Sequence, residues 1–460
     1  MRTPLTLLLM TLAAASLNAA DSLRAGFATA DLTPPLGVEM GGFGYNLGRA
    51  GDGVRDKLLA RAAVLQIGAR RVAIIGCDLG GISLEHTRRA RALIAAATGI
   101  PPESVMLGTT HTHSAPIATH WIGVGKIDQQ YVEGLPARIA KAVVEASKKV
   151  EPVTMSWGAA AVEGVARNRE YPGGQLDPQV RVLTFKAASG SVAGFIANYS
   201  VHPVVMAQLT HLFTGDLAGA SVNLVMERHP GSVGIFLQGS CGDINPIYTH
   251  MPQDESLQKL DLLASRLAGS ITQAMDGSHP EPASSLSSAL RPIALPQIVP
   301  DKDVVIDRLR TAEYTLKQAN LTPDLSGYMR FRADSARAAY ERFNRQPLDR
   351  WDTEVQAIAV GPVLIVANPG ETFVQFGLAT MDAFPGRKVM VTGYTNDYVG
   401  YIPAKDRYIV HPDSELSYPA YMTPWLNGEF RFREDVGDVL VREMVAVGQA
   451  ALHGASGASH

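Results

Sequence analysis

Short apolar runs along the chain predict β-strands separated by amphipathic helices. Residues 61–67 and 71–77 are two β-rich runs joined by a glycine-containing turn, which predicts a β-hairpin. Ser83 then precedes a helical pattern over residues 84–97 that closes at a glycine, as expected for an N-capped helix. A strand-like run at residues 104–107 follows. The segment is therefore predicted to form a β-β-α-β unit whose chemistry lies at a strand's carboxyl end.

The rest of the chain continues this mixture. The prolines after residues 25–32 predict an edge strand there. Further strands are predicted at residues 154–159, 180–185, 192–200, 232–238, 355–360, 363–367 and 388–392. Helices are predicted at residues 129–149, 218–227 and 434–451, a short one ending near residue 378, and an interrupted helical hairpin at 304–344. Consecutive hairpins beside helices favour an α/β fold with mixed β-sheets flanked by helices, and no internal repeat stands out.

Composition narrows the class of protein. A chain of 460 residues can bury a large core, and its length alone fits two to three domain equivalents or one large α/β domain, before a small-residue tail at 454–460. The net charge of −3 and the charged fraction of 18% indicate neither nucleic-acid binding nor a polybasic membrane surface.

The first twenty residues have the pattern of a secretory signal peptide. Arg2 is followed by an apolar run at residues 5–15 and a small-residue cleavage region at 17–20. An uncleaved anchor is the weaker alternative, because the run is too short to span a bilayer comfortably. We find no later run of eighteen apolar residues. The sequence thus predicts an exported protein, periplasmic or secreted, without a transmembrane span.

The two cysteines, Cys77 and Cys241, leave two alternatives open. Export would permit a disulfide between them, whereas two separate buried thiols are the simpler interpretation.

His111 and His113 mark the most informative segment, a run from a strand-like stretch to Pro116. In extended backbone, residues i and i+2 project to the same side, so both rings are expected to face one site. Histidine is the commonest nitrogen ligand for zinc, and a neighbouring histidine can orient it or carry protons. By itself, this pair of histidines is weak evidence for a metal site.

Other polar residues lie at predicted strand ends, and each has a structural alternative. His202 could be a hydrogen-bonded core histidine, and Glu371 a first-turn glutamate favoured by the helix dipole. Arg169 could bind an anion or a carbonyl, or lie on the surface. Three tyrosines in one loop could be packing or substrate walls: Tyr394, Tyr398 and Tyr401. Two aspartates after strand-like runs could be turn or capping residues: Asp216 and Asp243.

The order of these segments resembles the neutral (non-lysosomal) ceramidase family, from about Ala25 to the end of the chain. The segments are Thr-His-Thr-His-Ser, Asn-Arg, Val-His, Gly-Asp-x-x-Gly, Gly-Asp-x-x-Pro, Pro-Gly-Glu and Tyr-x-x-Tyr, after an early Ala-Asp-Leu-Thr-Pro. The resemblance implies the fold of that catalytic domain, as a single domain over residues 21–453, and a Zn²⁺ ion.

Site residues follow from the resemblance motif by motif. The implied zinc ligands are His111, His202, Glu371 and Tyr401. His113 would be an unligated neighbour that carries protons, and Arg169 would bind the substrate carbonyl or the anionic intermediate. Tyr418 matches a further family tyrosine over the reaction centre, across an apparent insertion.

The sequence departs from the family pattern in two respects. The family has a serine, often proposed as nucleophile, where this chain has Asn245. An amide cannot be that nucleophile but can position a water or stabilise an oxyanion, so attack by zinc-activated water is the expected mechanism. The sequence is also expected to lack the family's C-terminal immunoglobulin-like domain and to carry its own largely helical insertion at about 282–352.

The expected function is thus an exported zinc amidohydrolase acting on a small-molecule or lipid N-acyl substrate, ceramide or another. Two alternatives remain: hydrolysis of an ester, lactone or cyclic amide, and a noncatalytic ligand-binding pseudoenzyme. The sequence specifies neither the acyl chain nor the oligomeric state.

Overall fold

The computed structural model describes residues 22–43, 48–206, 208–318, 322–410 and 417–456. The predicted signal peptide and the last four residues of the predicted tail lie outside this range. Across the described residues, no helix combines the length and the apolar character needed to cross a membrane.

Nineteen strands occur in the described part of the chain. They are β1 (Arg24–Asp31), β2 (Gly53–Val54), β3 (Leu59–Ile67), β4 (Arg70–Cys77), β5 (Val105–Thr109), β6 (Glu151–Ala161), β7 (Ala166–Asn168), β8 (Gln179–Ala187), β9 (Val192–Tyr199), β10 (Leu212–Phe213), β11 (Val233–Gln238), β12 (Ile244–Pro246), β13 (His279–Glu281), β14 (Leu286–Pro296), β15 (Arg350–Val360), β16 (Val363–Ala367), β17 (Glu371–Thr372), β18 (Lys388–Thr392) and β19 (Tyr401–Ile402).

Nine α-helices accompany these strands among the described residues. They are α1 (Leu84–Thr98), α2 (Gln129–Ser147), α3 (Asp216–Arg228), α4 (Gln253–Asp276), α5 (Lys302–Leu316), α6 (Pro323–Arg342), α7 (Val374–Asp382), α8 (Thr423–Leu426) and α9 (Val436–Ser456). Two 3₁₀ turns lie at Pro102–Ser104 and Lys405–Tyr408, and a π-helical turn lies at Tyr418–Met422.

The same β-β-β-α-β-α unit occurs three times along the chain. The first unit is β1, β3, β4, α1, β5 and α2; the second is β6, β8, β9, α3, β11 and α4; the third is β14, β15, β16, α7, β18 and α9. In each unit the first three strands pair antiparallel in order, and the third pairs parallel with the fourth. This repeat was not predicted from the sequence.

The units join at their sheets. Antiparallel pairing of β6 with β1 merges the first two units into one nine-stranded sheet, and the third unit forms a separate four-stranded sheet. A buried apolar cluster takes residues from all three units, including Ile74, Ile235 and Ile365. Since each sheet contributes one face to this cluster, the three units share a core.

The ends of the parallel strands meet across the units. The amide of Thr109, the last residue of β5, donates to the Tyr394 carbonyl after β18, at 3.0 Å. The Gly393 amide in turn donates to the Gln238 carbonyl at the end of β11, at 2.9 Å. These bonds bring the carboxyl ends of the three parallel pairs to one place, which is where α/β folds bind ligands.

Most of the predicted elements are confirmed. The β3–β4 hairpin and the β-β-α-β unit are present, and the Ser83 side chain accepts the His86 amide as the N-cap of α1, which ends at Gly99 in a left-handed conformation. Helix α2 begins at Gln129 and continues through Pro136. The two cysteines are separate, free and buried.

The edge-strand prediction for residues 25–32 is wrong. Strand β1 pairs with β3 along its whole length and with β6 at Arg24 and Ala25, so it is the strand that joins two units. The prolines that follow it do end the strand, but they lie beyond the paired residues and leave its ladder intact.

The segment at about 282–352 contains both strand and helix. Strand β14 takes up its first part, and α5 (Lys302–Leu316) and α6 (Pro323–Arg342) pack against each other as a helical pair. The pair lies between the first and second strands of the third unit. Strand β14 and helix α4 were absent from the sequence prediction.

Candidate metal centre

His111 lies in the loop after β5 and has an unusual backbone conformation. Its φ of 64° lies in the left-handed region, which costs a non-glycine residue about 1–3 kcal/mol and often marks a functional site. Its amide donates to the Leu79 carbonyl at 2.9 Å, and its ring Nδ1 lies 2.5 Å from the Gly80 carbonyl. A carbonyl only accepts, so Nδ1 carries the ring proton and Nε2 keeps its lone pair.

The rings of His111 and His113 converge as expected, but the strand alternation from which this was expected is not the cause. Strand β5 ends at Thr109 and His111 is not extended, so strand alternation does not aim the two rings. Their Nε2 atoms nevertheless lie 3.1 Å apart. The Nδ1 of His113 is buried and has no hydrogen-bond partner among the described residues. Burial, with the adjacent histidines, holds the pKa of His113 well below its usual value.

His202 follows β9 of the second unit and is fixed in the same way as His111. Its amide donates to the Ile244 carbonyl at 2.9 Å, and its Nδ1 lies 2.6 Å from the Cys241 carbonyl, which leaves the Nε2 lone pair free. Burial lowers the pKa of His202 to about 4. The ring is therefore neutral near pH 7, the state that binds a metal.

Glu371 brings a carboxylate from the third unit to the two imidazoles. Its Oε2 lies 3.1 Å from His202 Nε2 and 3.3 Å from His111 Nε2. Its Oε1 accepts a hydrogen bond from the Tyr398 hydroxyl. Burial opposes ionisation, but the interactions with His111 and His202 hold the pKa of Glu371 well below its usual value.

Tyr401 completes the group from strand β19. Its hydroxyl lies 3.5 Å from His202 Nε2 and accepts a hydrogen bond from Arg169 Nη2 at 2.6 Å. Arg169 is held in turn by the Gly242 carbonyl, 2.6 Å from Nη2. Burial keeps the pKa of Tyr401 well above its usual value, against the charge of Arg169. Arg169 therefore touches a predicted ligand and is only partly exposed.

These four groups fit a zinc ion. Tetrahedral zinc with ligand bonds of about 2.0–2.1 Å separates neighbouring ligand atoms by about 3.3 Å. The His–Glu and His–Tyr separations of 3.1–3.5 Å agree with this value. Two imidazoles, a carboxylate and a phenol are also a chemically suitable donor set.

A second grouping at the same place consists of histidines alone. His111, His113 and His202 have nitrogen atoms within 4.8 Å of one another, so these three could also hold a metal ion. Ligating histidines usually donate their other ring N–H to a carbonyl or carboxylate. His111 and His202 do so, whereas His113 Nδ1 has no such partner in the described structure. This difference favours His113 as a neighbour of the ligands.

The centre opens into a narrow cavity of about 30 Å³. Predicted ligands line it together with His113, Trp121 and Tyr418. The Tyr418 ring lies 5.9 Å from the Tyr401 ring and is 39% exposed, so Tyr418 sits between the centre and solvent, where the resemblance places it.

Asn245 lies on β12, next to the elements that hold the centre. It neighbours Ile244, which accepts the His202 amide, and its own Oδ1 is buried without a described hydrogen-bond partner. Asn245 is not among the residues that line the 30 Å³ cavity. The structure thus brings seven of the eight predicted site residues into contact with one another and places Asn245 beside them.

Sequence reasoning missed the residues that orient the ligands. Tyr398 was left as a packing or wall residue, yet it binds Glu371, and the Tyr394 ring stacks on His111 at 4.2 Å. Asp243 accepts the Val374 amide at the start of α7, a helix more than a hundred residues further along the chain. The only signal was the clustering of tyrosines in one loop, and that pattern does not reveal which hydroxyl meets the carboxylate.

Comparison with known proteins identifies relatives of the chain. The family described as neutral/alkaline non-lysosomal ceramidase, N-terminal, matches residues 23–289, more than half of the 460 residues. The neutral ceramidase of Pseudomonas aeruginosa is 31% identical over 254 residues. That match spans 49% of this chain and 38% of the relative, well under two thirds of its length.

Two solved structures share the fold. The crystal structure of neutral ceramidase from Pseudomonas aeruginosa matches with a TM-score of 0.70 at 21% identity, over 93% of this chain and 75% of the other. A ceramidase complexed with C2 matches with a TM-score of 0.71 at 19% identity, over 94% and 76% of the two chains. This likeness confirms the predicted α/β fold.

Proposed function

Because this chain belongs to the neutral/alkaline non-lysosomal ceramidase family, we propose that it is a zinc-dependent amidohydrolase. Its substrate would be ceramide or another N-acyl compound, cleaved at the N-acyl amide bond. The observation that carries the proposal is the convergence of four buried metal-binding groups from three structural units: His111, His202, Glu371 and Tyr401.

The protein's part is to hold these groups before any substrate arrives. The carbonyls of Gly80 and Cys241 fix the two imidazoles in the tautomer that leaves Nε2 free. Tyr398 fixes one oxygen of Glu371 and leaves the other toward the imidazoles. When bound, zinc polarises a carbonyl oxygen and lowers the pKa of water to about 7.

Arg169 would stabilise the negative charge that develops during the reaction, and His113 would carry the proton. The Arg169 guanidinium, within 2.6 Å of the Tyr401 hydroxyl, brings a positive charge to the edge of the centre, where an oxyanion of the substrate would be stabilised. His113 lines the cavity, is neutral near pH 7, and has an unpartnered Nδ1 that can hold a proton for the leaving amine. Tyr418 would cover the substrate from the solvent side.

Asn245 would position the reacting groups rather than attack the substrate. An amide side chain has no nucleophilic oxygen of the serine type, but its N–H groups can donate to an oxyanion or a water. Its place beside the backbone that holds His202 supports this role.

A substrate panel with the zinc-reconstituted protein tests the proposal. Fluorescent ceramide, other N-acyl amides, and matched esters and lactones are compared before and after chelation of zinc. We expect amide hydrolysis that chelation abolishes and zinc restores. Cleavage restricted to esters, lactones or cyclic amides would instead support the alternative hydrolase, and ligand binding without turnover of any class would support the pseudoenzyme.

We also propose that the protein acts outside the cytoplasm, in a periplasm or as a secreted protein. The support is the signal-peptide pattern at residues 1–20. Amino-terminal sequencing of exported protein tests it, with a mature start near Asp21 expected and an intact Met1 contradicting it.

A further inference from the structure

A large open cleft lies beside the metal centre. It has a volume of about 760 Å³, whereas the cavity at the centre has about 30 Å³. Its walls come from the helical pair at residues 302–342 and from the segment at residues 421–431. Nothing in the proposed chemistry of the metal centre uses this cleft.

The cleft carries positive charge that the described side chains do not neutralise. The three arginines that line it form no ion pair with any carboxylate described in the structure and contact aromatic rings instead: Arg308, Arg332 and Arg431. Its one acidic residue, Glu429, is already paired with two arginines that do not line the cleft, Arg342 and Arg345, at 2.5 and 3.2 Å. The net charge of the lining is therefore strongly positive.

Two of these guanidinium groups also repel each other. Burial and the positive charge of Arg332 lower the pKa of Arg308. Arg308 lies 3.4 Å over the Trp425 ring, which holds its guanidinium against the wall of the cleft. Two like charges facing one cavity are relieved by an anion that binds between them, and guanidinium groups suit carboxylate and phosphate geometry.

The remaining wall is apolar and aromatic. Phe331, Tyr421 and Trp425 line the cleft, with Met422 45% exposed and Ile298 38% exposed. An apolar wall beside cationic groups suits a ligand that has both an acidic group and a hydrocarbon part.

One helical segment separates the cleft from the metal centre. Tyr418, Thr423 and Leu426 line the cavity of the centre, whereas Met422 and Trp425 line the cleft. The two spaces therefore lie on opposite sides of the π-turn and α8, a distance of about 10 Å, which is the thickness of a helix. The exposed Tyr418 and Met422 form the rim over which a chain can pass.

We propose that this cleft binds an acidic group of the substrate, so that the enzyme prefers N-acyl compounds carrying a carboxylate, phosphate or sulfate about 10 Å from the scissile carbonyl. This inference rests on the proposed amidohydrolase function and names its substrate class. Ceramide is uncharged and would leave the arginines unpaired.

Paired substrates that differ only in charge test this preference. N-lauroyl-aminooctanoate and its neutral methyl ester are each given to the zinc-reconstituted full chain, as monomers in solution. We expect kcat/KM for amide cleavage to be on the order of tenfold higher for the acid, and the ratio to fall as salt is raised. In the double variant Arg308→Gln/Arg332→Gln the ratio should fall to near one.

Arg310→Gln is the matched control, because Arg310 lies on the same helix, is 77% exposed and pairs with Asp307. It should keep the wild-type ratio. Circular dichroism and bound zinc establish that each variant is folded. A wild-type ratio near one, or an equal ratio in the double variant and the wild type, would overturn the inference while leaving the amidohydrolase intact.

Binding of dodecyl phosphate, measured by calorimetry, separates the inference from the proposed function. If neither amide is cleaved although zinc is bound, the amidohydrolase fails. Dodecyl phosphate binding that is lost in the double variant and kept in Arg310→Gln would then still support an anion-binding cleft. Absence of that binding in the wild type would overturn it.

Discussion

At the scale of single residues, the proposed metal centre would depend on groups that touch the predicted ligands as well as on the ligands themselves. The imidazoles of His111 and His202 are held by backbone carbonyls, and Glu371 is held by a tyrosine hydroxyl. Such partners fix tautomer and orientation, and their loss typically costs 10–100-fold in metal affinity. The ligands could be predicted from the resemblance, whereas their partners come from distant loops whose approach no local pattern encodes.

Tyr398→Phe tests this dependence. The change removes only the hydroxyl that donates to Glu371 Oε1, so we expect zinc affinity to fall by about 10–100-fold with the fold intact. Competition with a chromogenic chelator measures the affinity. Tyr314→Phe, at a side chain that is 68% exposed, is the control. Unchanged affinity in Tyr398→Phe would remove this residue from the centre.

Asn245→Ala separates positioning from metal binding. If the amide orients the reacting groups, kcat should fall by about 100-fold, as for loss of one oxyanion donor. The zinc content should stay at the wild-type level. Asn344→Ala, on an exposed turn after α6, should change neither quantity. An unaltered kcat in Asn245→Ala would exclude the role proposed for this side chain.

At the scale of elements, each unit brings the carbonyl of its last helix against its first strand. An added Cβ at Gly26 would lie 2.2 Å from the Ala146 carbonyl oxygen, and one at Gly158 would lie 1.8 Å from that of Ala274. In the third unit the Ser287 hydroxyl donates to the Ala451 carbonyl at 2.7 Å. The close approach of helix and strand is thus accommodated by a glycine in the first two units and by a hydrogen-bond donor in the third.

Two glycine substitutions test this packing from opposite directions. Gly158→Ala should destabilise the protein by about 3 kcal/mol, since the backbone of α4 must move away. Gly269→Ala, in the middle of α4 with open space around it, should stabilise by about 0.5–1 kcal/mol through helix propensity. Urea unfolding measures both. Equal effects of the two changes would contradict the close approach.

The buried carboxyl of Asp216 makes the stability of the folded protein depend on pH. Its carboxylate accepts the amides of Val205 and Met206, which lie in the loop after His202, yet burial raises its pKa to about 6. A raised folded-state pKa contributes stability that is present below the unfolded value of 3.8 and is lost as pH rises through about 6.

Relative to Asp216→Asn, the wild type should therefore lose about 3 kcal/mol of stability between about pH 3 and about pH 7. Asparagine tolerates the left-handed backbone at this position, where φ is 50°. Urea unfolding across the pH range, with exposed Asp438→Asn as control, measures the difference. A difference in stability that does not change with pH would show that the pKa of the Asp216 carboxyl is not raised.

Prediction of the elements succeeded where the pattern was local and failed where pairing was distant. The β3–β4 hairpin and the Ser83 cap depend on neighbouring residues, and both were predicted. The place of β1 inside a sheet depends on β6, more than a hundred residues away. Helix α4 was predictable from the spacing of Leu260, Leu263 and Leu267, and its omission was an error of the prediction.

At the scale of the whole molecule, the candidate metal centre lies where three copies of one supersecondary unit meet. His111 comes from the first unit, His202 from the second, and Glu371 and Tyr401 from the third. The repeat is hidden in the sequence because the connection between the first two strands differs in length from unit to unit. It occupies residues 162–178 in the second unit and the much longer segment 297–349 in the third. The third connection contains the helical pair that walls the cleft.

Since the ligands come from different units, zinc should stabilise the molecule as a whole. At a free zinc concentration of 1,000 Kd, the free energy of unfolding should rise by about 4 kcal/mol. Thermal unfolding with and without chelator measures this. His202→Ala should abolish the zinc-dependent increase, and His453→Ala, at an exposed residue of α9, should keep it. An increase that survives in His202→Ala would place the metal elsewhere.

A crystal structure of the zinc-reconstituted protein, measured at the zinc absorption edge, tests most directly the claim that these four groups hold the metal. We predict one strong anomalous peak bound by Nε2 of His111, Nε2 of His202, the carboxylate of Glu371 and the hydroxyl oxygen of Tyr401. His113 should lie beside the metal without binding it. A peak bound by the three histidines without Glu371 and Tyr401, or no peak at this place, would contradict the claim.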